Sequence, residues 1–171
     1  MRIAINGFGR IGRAAFKIIL KTPALELVAV NDLAPLAYLL KYDTVYGWYE
    51  RRVDRDDEHL IVDGELYRVF TQKDPARLPW AELGVDLVLE CTGAFRRKED
   101  LEQHIRAGAR YVILSAPAGG DEMPAVVHGV NAPDGSTKLL QIPRPEAIEG
   151  VKTGLSAQMG RTLNIAPNTL P

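Results

Sequence analysis

Short apolar runs and one helical repeat alternate over the first 40 residues of the chain. The apolar runs at 2–6 and 25–31 predict two strands. Between them, apolar residues recur every three or four positions, which predicts a helix over 10–21. A second, short helix is predicted over 35–40, where a proline suits the first turn. Strand, helix and strand within about 30 residues favour a parallel pair with a right-handed crossover.

The rest of the pattern is more varied. The charged run over 51–58 is predicted to be a solvated turn. Asp63-Gly64 lies between two apolar runs and is the dipeptide that a tight turn favours, which predicts an antiparallel hairpin. Four further elements are predicted: a strand over 85–90, a helix over 97–107 that ends at Gly108, a strand over 111–115, and the beginning of another over 125–127.

Composition narrows the class of protein. The 171 residues suit one domain of ordinary size, and 21 basic against 22 acidic residues argue against a broad surface for nucleic acid. No apolar run approaches the roughly 18 residues that span a bilayer. The single cysteine, Cys91, excludes an intramolecular disulfide. We therefore expect a cytoplasmic protein with no nucleic-acid or membrane partner.

A glycine motif lies between the first strand and the first helix. Gly7-Phe8-Gly9-Arg10-Ile11-Gly12 has the Gly-x-Gly-x-x-Gly spacing of a dinucleotide-binding turn. Gly7 permits a tight turn, Gly9 lets the backbone approach a pyrophosphate, and Gly12 lets the helix lie close to the sheet. The free N–H groups at the start of the helix would face the phosphates. A plain strand-to-helix turn is the alternative, which this context disfavours.

Asp32 follows Gly12 by 20 residues, at the end of the second predicted strand. In a dinucleotide site, an acidic residue at this spacing accepts hydrogen bonds from the adenosine ribose hydroxyls. Its charge repels a 2′-phosphate, so NAD is favoured over NADP as the cofactor. The alternative role is a simple cap or turn residue after the strand.

Seven separate segments of the chain show a family pattern: Ile5–Arg13, Asn31–Leu33, Lys41–Gly47, Lys73–Pro75, Glu90–Phe95, Ser115–Pro117 and Gly129–Asn131. In this order, over about residues 1–140, they resemble the NAD-binding domain of the glyceraldehyde-3-phosphate dehydrogenase family. This resemblance implies an α/β fold, a Rossmann-type doubly wound parallel sheet with an inserted antiparallel hairpin. It also implies a glycolytic, NAD-dependent oxidation of an aldehyde phosphate as the family reaction.

The resemblance implies further contacts with NAD. The backbone amides of Arg10 and Ile11 would bind the pyrophosphate. Lys73 would lie beside the adenine, although a solvated loop lysine is an equal alternative from the sequence alone.

The implied cofactor cleft extends past the strand that ends at Cys91. Thr92, Gly93 and Phe95 would line this part of the cleft, and Ser115 would lie near the nicotinamide. These segments all follow predicted strands, and ligands bind at the carboxyl ends of strands in open α/β sheets.

The chain departs from the family where the nucleophile is expected. The family has a Ser-Cys-Thr-Thr-Asn motif there, whereas residues 141–148 read Gln-Ile-Pro-Arg-Pro-Glu-Ala-Ile. We expect an irregular, proline-containing tail over 141–171 after an NAD-binding domain over 1–140, and one interpretation makes the tail a remnant of a deleted catalytic domain. Cys91 is predicted to be a structural, buried thiol. No catalytic residue is predicted.

The three histidines show no metal-ligand spacing, so a structural role is predicted for His59, His104 and His128 and no metal site is expected. The leading hypothesis is an NAD-binding domain that is inactive alone. Two alternatives are an NAD-sensing or protein-interaction module, and an oxidoreductase whose substrate groups come from another chain. Without a substrate domain, apolar sheet surface would be uncovered, so self-association into a homo-oligomer is also expected.

Overall fold

The protein is described by a computed structural model that covers residues 1–44, 47–119, 123–126, 131 and 137–141. The helices are α1 (Arg10–Ile19), α2 (Leu36–Lys41) and α3 (Lys98–Arg106), and a short 3₁₀ turn spans Pro75–Arg77. The strands are β1 (Arg2–Asn6), β2 (Glu26–Asn31), β3 (Tyr42–Asp43), β4 (Gly47–Trp48), β5 (Val53–Arg55), β6 (His59–Val62), β7 (Glu65–Phe70), β8 (Leu87–Glu90), β9 (Tyr111–Leu114) and β10 (Leu139–Gln141).

Eight of these strands form one sheet in the order β10-β9-β8-β1-β2-β7-β6-β5. The six strands from β10 to β7 run parallel, and β6 and β5 are antiparallel to their neighbours. The chain leaves the central strand β1 towards β2 on one side and later returns to β8 on the other. This reversal of direction is the switch point at which Rossmann-type sheets bind ligands. The predicted α/β fold class is confirmed.

The predicted hairpin is present between β6 and β7. Asp63 and Gly64 have φ angles of 52° and 92°, the left-handed conformation that a two-residue hairpin turn of this type requires at both positions. The prediction of a solvated turn over 51–58 is wrong for Val53–Arg55, which pairs with β6 as the outermost strand. An edge strand with most of its side chains in solvent needs no apolar alternation, so the charged sequence gave no sign of it.

Two other differences lie near the end of the described residues. The strand β10 was not expected, and Gln141, placed by the sequence in an irregular tail, is its last residue and is buried. A strand was expected to begin over 125–127. Ala125 forms only a single parallel bridge with Gln141, and Val126 is not part of a strand. Val127 lies outside the described residues. Residues 142–171 also lie outside them.

The sheet is covered on both faces, and β1 shows how. Ile3 and Ile5 pack with α1 residues such as Phe16 on one face, while Ala4 packs with Leu101 of α3 on the other. Successive side chains of a strand point to opposite faces, so one five-residue strand supplies both cores. The longest helix among the described residues has ten residues, and none of those helices is long and apolar enough to cross a membrane.

The core on the α3 face yields a test of the packing. Leu101 is fully buried, whereas Leu66 on the hairpin is 59% exposed. We expect Leu101→Ala to lower the free energy of unfolding by about 2–5 kcal/mol, because it leaves a cavity between α3 and the sheet. Leu66→Ala is the matched control and should change it by less than about 0.5 kcal/mol. Urea unfolding followed by circular dichroism measures both, and equal losses would contradict this assignment of the core.

Candidate functional site

A cleft of about 340 Å³ lies where β1, β2, β7 and β8 end, at the switch point of the sheet. Six of the residues predicted to bind the cofactor line it, and five do not: Arg10, Ile11, Gly12, Gly93 and Ser115. The lining residues are Asn6, Gly7, Gly9, Asn31, Asp32, Leu33, Gln72, Lys73, Cys91, Thr92, Ala94 and Phe95. Parallel strands bring their carboxyl ends to one edge, which explains why segments so far apart in sequence meet here.

The three glycines of the motif differ in what surrounds the position of a Cβ atom. A Cβ on Gly7, whose φ is +93°, would lie 2.4 Å from the backbone nitrogen of Thr92. A Cβ on Gly12 would lie 2.1 Å from the carbonyl oxygen of Gly7. A Cβ on Gly9 would meet no atom within 4 Å and would project into open space at the cleft wall. Gly7 and Gly12 therefore allow close packing within the protein, and Gly9 keeps room for a ligand.

The first turn of α1 begins at this open position. Gly9 is the N-cap residue, and no side chain of the described residues caps the helix there. The first N–H groups of a helix have no partner within it, so the amides of Arg10 and Ile11 are available to an anion. The room at Gly9 and these donors together fit a pyrophosphate. The side chains of Arg10 and Ile11 are exposed and do not line the cleft.

Asp32 has the turn role that its sequence position allowed, and its ribose role stays a prediction. Its side chain accepts hydrogen bonds from the backbone N–H groups of Phe8 and, at 2.9 Å, Ala34. It therefore ties the glycine turn to the end of β2, and it also lines the cleft. Each carboxylate oxygen has a second lone pair, so Asp32 can still accept hydrogen bonds from a ligand.

A buried ion pair supports the same turn from the opposite side. Arg13, in the first half of α1, donates from Nε and Nη2 to Oδ2 of Asp43 at 3.1 and 2.8 Å. Its Nη1 donates to the carbonyl oxygen of Phe8 at 3.1 Å. Arg13 is 8% exposed and Asp43 is 6% exposed. The guanidinium thus joins the glycine turn to β3.

Of the remaining predicted residues, three line the cleft and two do not. Lys73 is exposed at the rim, while Thr92 and Phe95 form the wall after β8. Gly93 has a φ of +73° in the turn between them and is not a lining residue. Ser115, at the end of β9, hydrogen-bonds the thiol of Cys91 and does not reach the cleft itself.

The thiol of Cys91 is not activated. Burial raises its pKa to about 11, and the nearby Glu90 carboxylate also raises it, while the Ser115 hydrogen bond lowers it. A nucleophilic cysteine needs a lowered pKa, so Cys91 is a neutral thiol at physiological pH. Cys91 also lines the cleft, and its structural role stays a prediction.

Sequence reasoning missed a set of polar residues in the floor of the cleft. Asn31 donates from Nδ2 to Oδ1 of Asn6 at 2.6 Å and to the carbonyl oxygen of Gln72 at 2.9 Å. Gln72 donates its backbone N–H to Oδ1 of Asn31 at 2.8 Å. The available signal in the sequence was a polar side chain at the end of each of two mainly apolar strands, at Asn6 and Asn31.

Some residues of interest lie outside the described ones: His128, Val45, Tyr46, Gly129 and Val130. The other two histidines are in the described part and are engaged. His59 contacts Asp56 at 3.1 Å where the chain turns from β5 to β6, and His104 is fully buried on α3. No group of three or more His, Cys, Asp or Glu side chains in the described part could hold a metal ion.

Comparison with known proteins identifies the family to which this chain is related. Residues 1–98 match the family described as glyceraldehyde 3-phosphate dehydrogenase, NAD binding domain. The glyceraldehyde-3-phosphate dehydrogenase of Clostridium pasteurianum is 43% identical over 169 residues, covering 97% of this chain and 46% of its own length. The enzyme of Thermotoga maritima is 50% identical over 131 residues, which cover 74% of this chain and 39% of that protein. The enzyme of Geobacillus stearothermophilus is 47% identical over 134 residues, which cover 77% of this chain and 40% of that protein.

The chain spans less than half the length of these three relatives. The matched residues 1–98 include the glycine turn, Asp32, Lys73 and the Thr92 wall. They make up more than half of the chain, and the sheet around them has the expected topology. The chain therefore belongs to the family of NAD-binding domains of glyceraldehyde-3-phosphate dehydrogenase.

Proposed function

We propose that this chain binds NAD in the cleft at the switch point and does not oxidise a substrate on its own. The observation that supports binding most directly is Gly9, whose Cβ position is open beside free helix amides. The pyrophosphate would take that space and accept hydrogen bonds from Arg10 and Ile11. When bound, the nicotinamide ring of NAD supplies a hydride acceptor.

The other contacts follow from the order of strands around the cleft. Asp32 would accept hydrogen bonds from the adenosine ribose, and Lys73 at the rim would lie beside the adenine. On the other side of the glycine turn, Thr92 and Phe95 would line the half of the cleft that leads to the nicotinamide. Ser115 would lie behind that half and act through Cys91, since its side chain bonds that thiol.

The chemistry of the cleft supports the absence of turnover. Aldehyde oxidation by a thiol-dependent dehydrogenase needs a thiolate nucleophile and a base to accept its proton. Cys91 is a thiol with a raised pKa, and His104 is enclosed in the core. Among the described residues, no histidine lines the cleft. The described residues therefore support cofactor binding and include no activated nucleophile beside the cleft.

The preference for NAD over NADP tests the role of Asp32. We expect NAD to raise the melting temperature more than NADP, because the Asp32 carboxylate repels a 2′-phosphate. A ligand at about 100 times its dissociation constant adds roughly 2.7 kcal/mol of stability. Differential scanning fluorimetry with matched concentrations measures this. Equal shifts from the two dinucleotides would show that Asp32 does not meet the ribose.

The open position at Gly9 tests the phosphate contact. Gly9 has an ordinary φ of −68°, so Gly9→Val should fold with a melting temperature near that of the wild type. We expect its NAD affinity to fall at least about 10-fold, because the side chain fills the pyrophosphate space. Gly12→Ala is the contrasting control: its Cβ meets the Gly7 carbonyl, so it should lose stability. Wild-type NAD affinity in folded Gly9→Val, by calorimetry, would exclude this turn as the phosphate site.

The inactive thiol gives a third test. We expect no NADH from glyceraldehyde 3-phosphate, phosphate and NAD, with the same result for Cys91→Ser. Iodoacetamide should label Cys91 slowly at pH 8, where a thiol of pKa about 11 is only about one thousandth ionised. The labelling rate should rise about tenfold per pH unit towards that pKa. NADH formation that disappears in Cys91→Ser would make Cys91 a nucleophile after all.

A further inference from the structure

A fully buried carboxylate lies directly behind the cleft wall. Glu90 is the last residue of β8 and is 0% exposed. Its Oε2 accepts hydrogen bonds from Nδ2 of Asn6 and, at 3.2 Å, from Nε2 of His104. Its Oε1 accepts hydrogen bonds from the backbone N–H of Thr92 at 2.7 Å and from the Thr92 hydroxyl. Four donors therefore surround the two oxygens, which have four lone pairs between them.

The histidine in this network has a defined tautomer. The indole N–H of Trp80 donates to Nδ1 of His104 at 3.0 Å, and an indole nitrogen can only donate. Nδ1 must therefore carry no proton, and the ring proton is on Nε2, where it points to Glu90. Trp80 and His104 are both 0% exposed. A chain of hydrogen bonds thus runs from the core on the α3 face to the cleft.

The network ends on the parts of the cleft that must be placed most accurately. Glu90 holds Thr92 through both its backbone N–H and its hydroxyl. The Thr92 backbone packs so closely against Gly7 that a Cβ on Gly7 would lie 2.4 Å from the Thr92 nitrogen. Asn6 precedes Gly7 and connects Glu90 to Asn31. Movement of Glu90 would therefore shift the glycine turn and the Thr92 wall together.

A role in stability alone explains this arrangement poorly. Removing a carboxylate from water is costly, and well-packed apolar residues often replace buried ionic groups without loss of stability. Fully satisfied buried polar networks instead fix one arrangement of the groups that they join. Here those groups belong to three segments that line the cleft, after β1, β2 and β8.

We propose that Glu90 and His104 are positioning residues that hold Thr92 and the Gly7 turn in the geometry that receives the dinucleotide. The proposal rests on NAD binding in this cleft. Trp80 contributes by fixing the His104 tautomer, so that the ring donates to Glu90. Neither Glu90 nor His104 lines the cleft, so both act through Thr92 and Asn6.

The test compares Glu90→Gln with Val112→Ala. In Glu90→Gln, the new NH₂ group faces either the Thr92 backbone N–H or the N–H donors of Asn6 and His104. At least one donor therefore loses its acceptor, whichever way the amide turns. Val112 is fully buried in the same core cluster as Trp80 and does not line the cleft, so Val112→Ala should lower stability without disturbing the network. Two readouts are taken: amide hydrogen exchange at Gly7 and Thr92 in the ligand-free protein, and NAD affinity by calorimetry.

We expect Glu90→Gln to accelerate exchange at Gly7, Thr92 or both at least tenfold, and to weaken NAD binding at least tenfold. Val112→Ala should melt at a lower temperature with neither change. If Glu90→Gln does not fold, His104→Phe removes one donor to Glu90 and carries the same expectation. The proposal is wrong if either network variant matches Val112→Ala in both readouts.

The experiment distinguishes a failure of NAD binding from a failure of the positioning role. If the wild-type protein does not bind NAD, the proposed function fails. Accelerated exchange at the cleft amides of Glu90→Gln would then still support a network that positions the cleft walls. If the wild type binds NAD and the exchange and affinity of Glu90→Gln match those of Val112→Ala, only the positioning role fails.

Discussion

Close backbone contact at Gly7 is the constraint on which the cleft depends. Its φ of +93° turns the chain sharply after β1. On one side the Thr92 backbone approaches so closely that no Cβ fits, and on the other the first turn of α1 lies against the Gly7 carbonyl through Gly12. Without these two contacts, α1 could not point its free N–H groups into the gap between β1 and β8. The proposed anion site thus depends mainly on close packing of backbone against backbone.

Charged and polar side chains then fix this backbone from three directions. Asp32 accepts the Phe8 amide, Arg13 donates to the Phe8 carbonyl, and Glu90 holds Thr92. Two of these groups, Arg13 and Glu90, are buried charges that are paired or surrounded by donors, as burial requires. The turn is therefore held by bonds to both its N–H and C=O groups, which leaves the amides of α1 free for a ligand.

Among the described residues, the cleft has the groups proposed to hold a cofactor and no activated nucleophile. Its one thiol is kept protonated by burial beside a carboxylate, and its neighbouring histidine is consumed in holding that carboxylate. The chain also spans less than half the length of its dehydrogenase relatives. The comparisons place the described cleft within the NAD-binding domain of this family, which matches residues 1–98.

The sequence by itself determined the features that depend on near neighbours along the chain. The glycine spacing, the apolar strand before it and Asp32 identified the turn, the helix and the α/β class, and Asp63-Gly64 identified the hairpin. Only the tertiary structure decided which residues form the floor of the cleft. Asn6 meets Glu90 across 84 residues, and Glu90 meets His104 across 14 residues that include a crossover. The edge strand Val53–Arg55 could not be predicted from its sequence, because it is a strand through its pairing with β6 and not through its own pattern of residues. Local spacing encodes backbone conformation, but a buried polar contact exists only once strands from separate segments lie side by side.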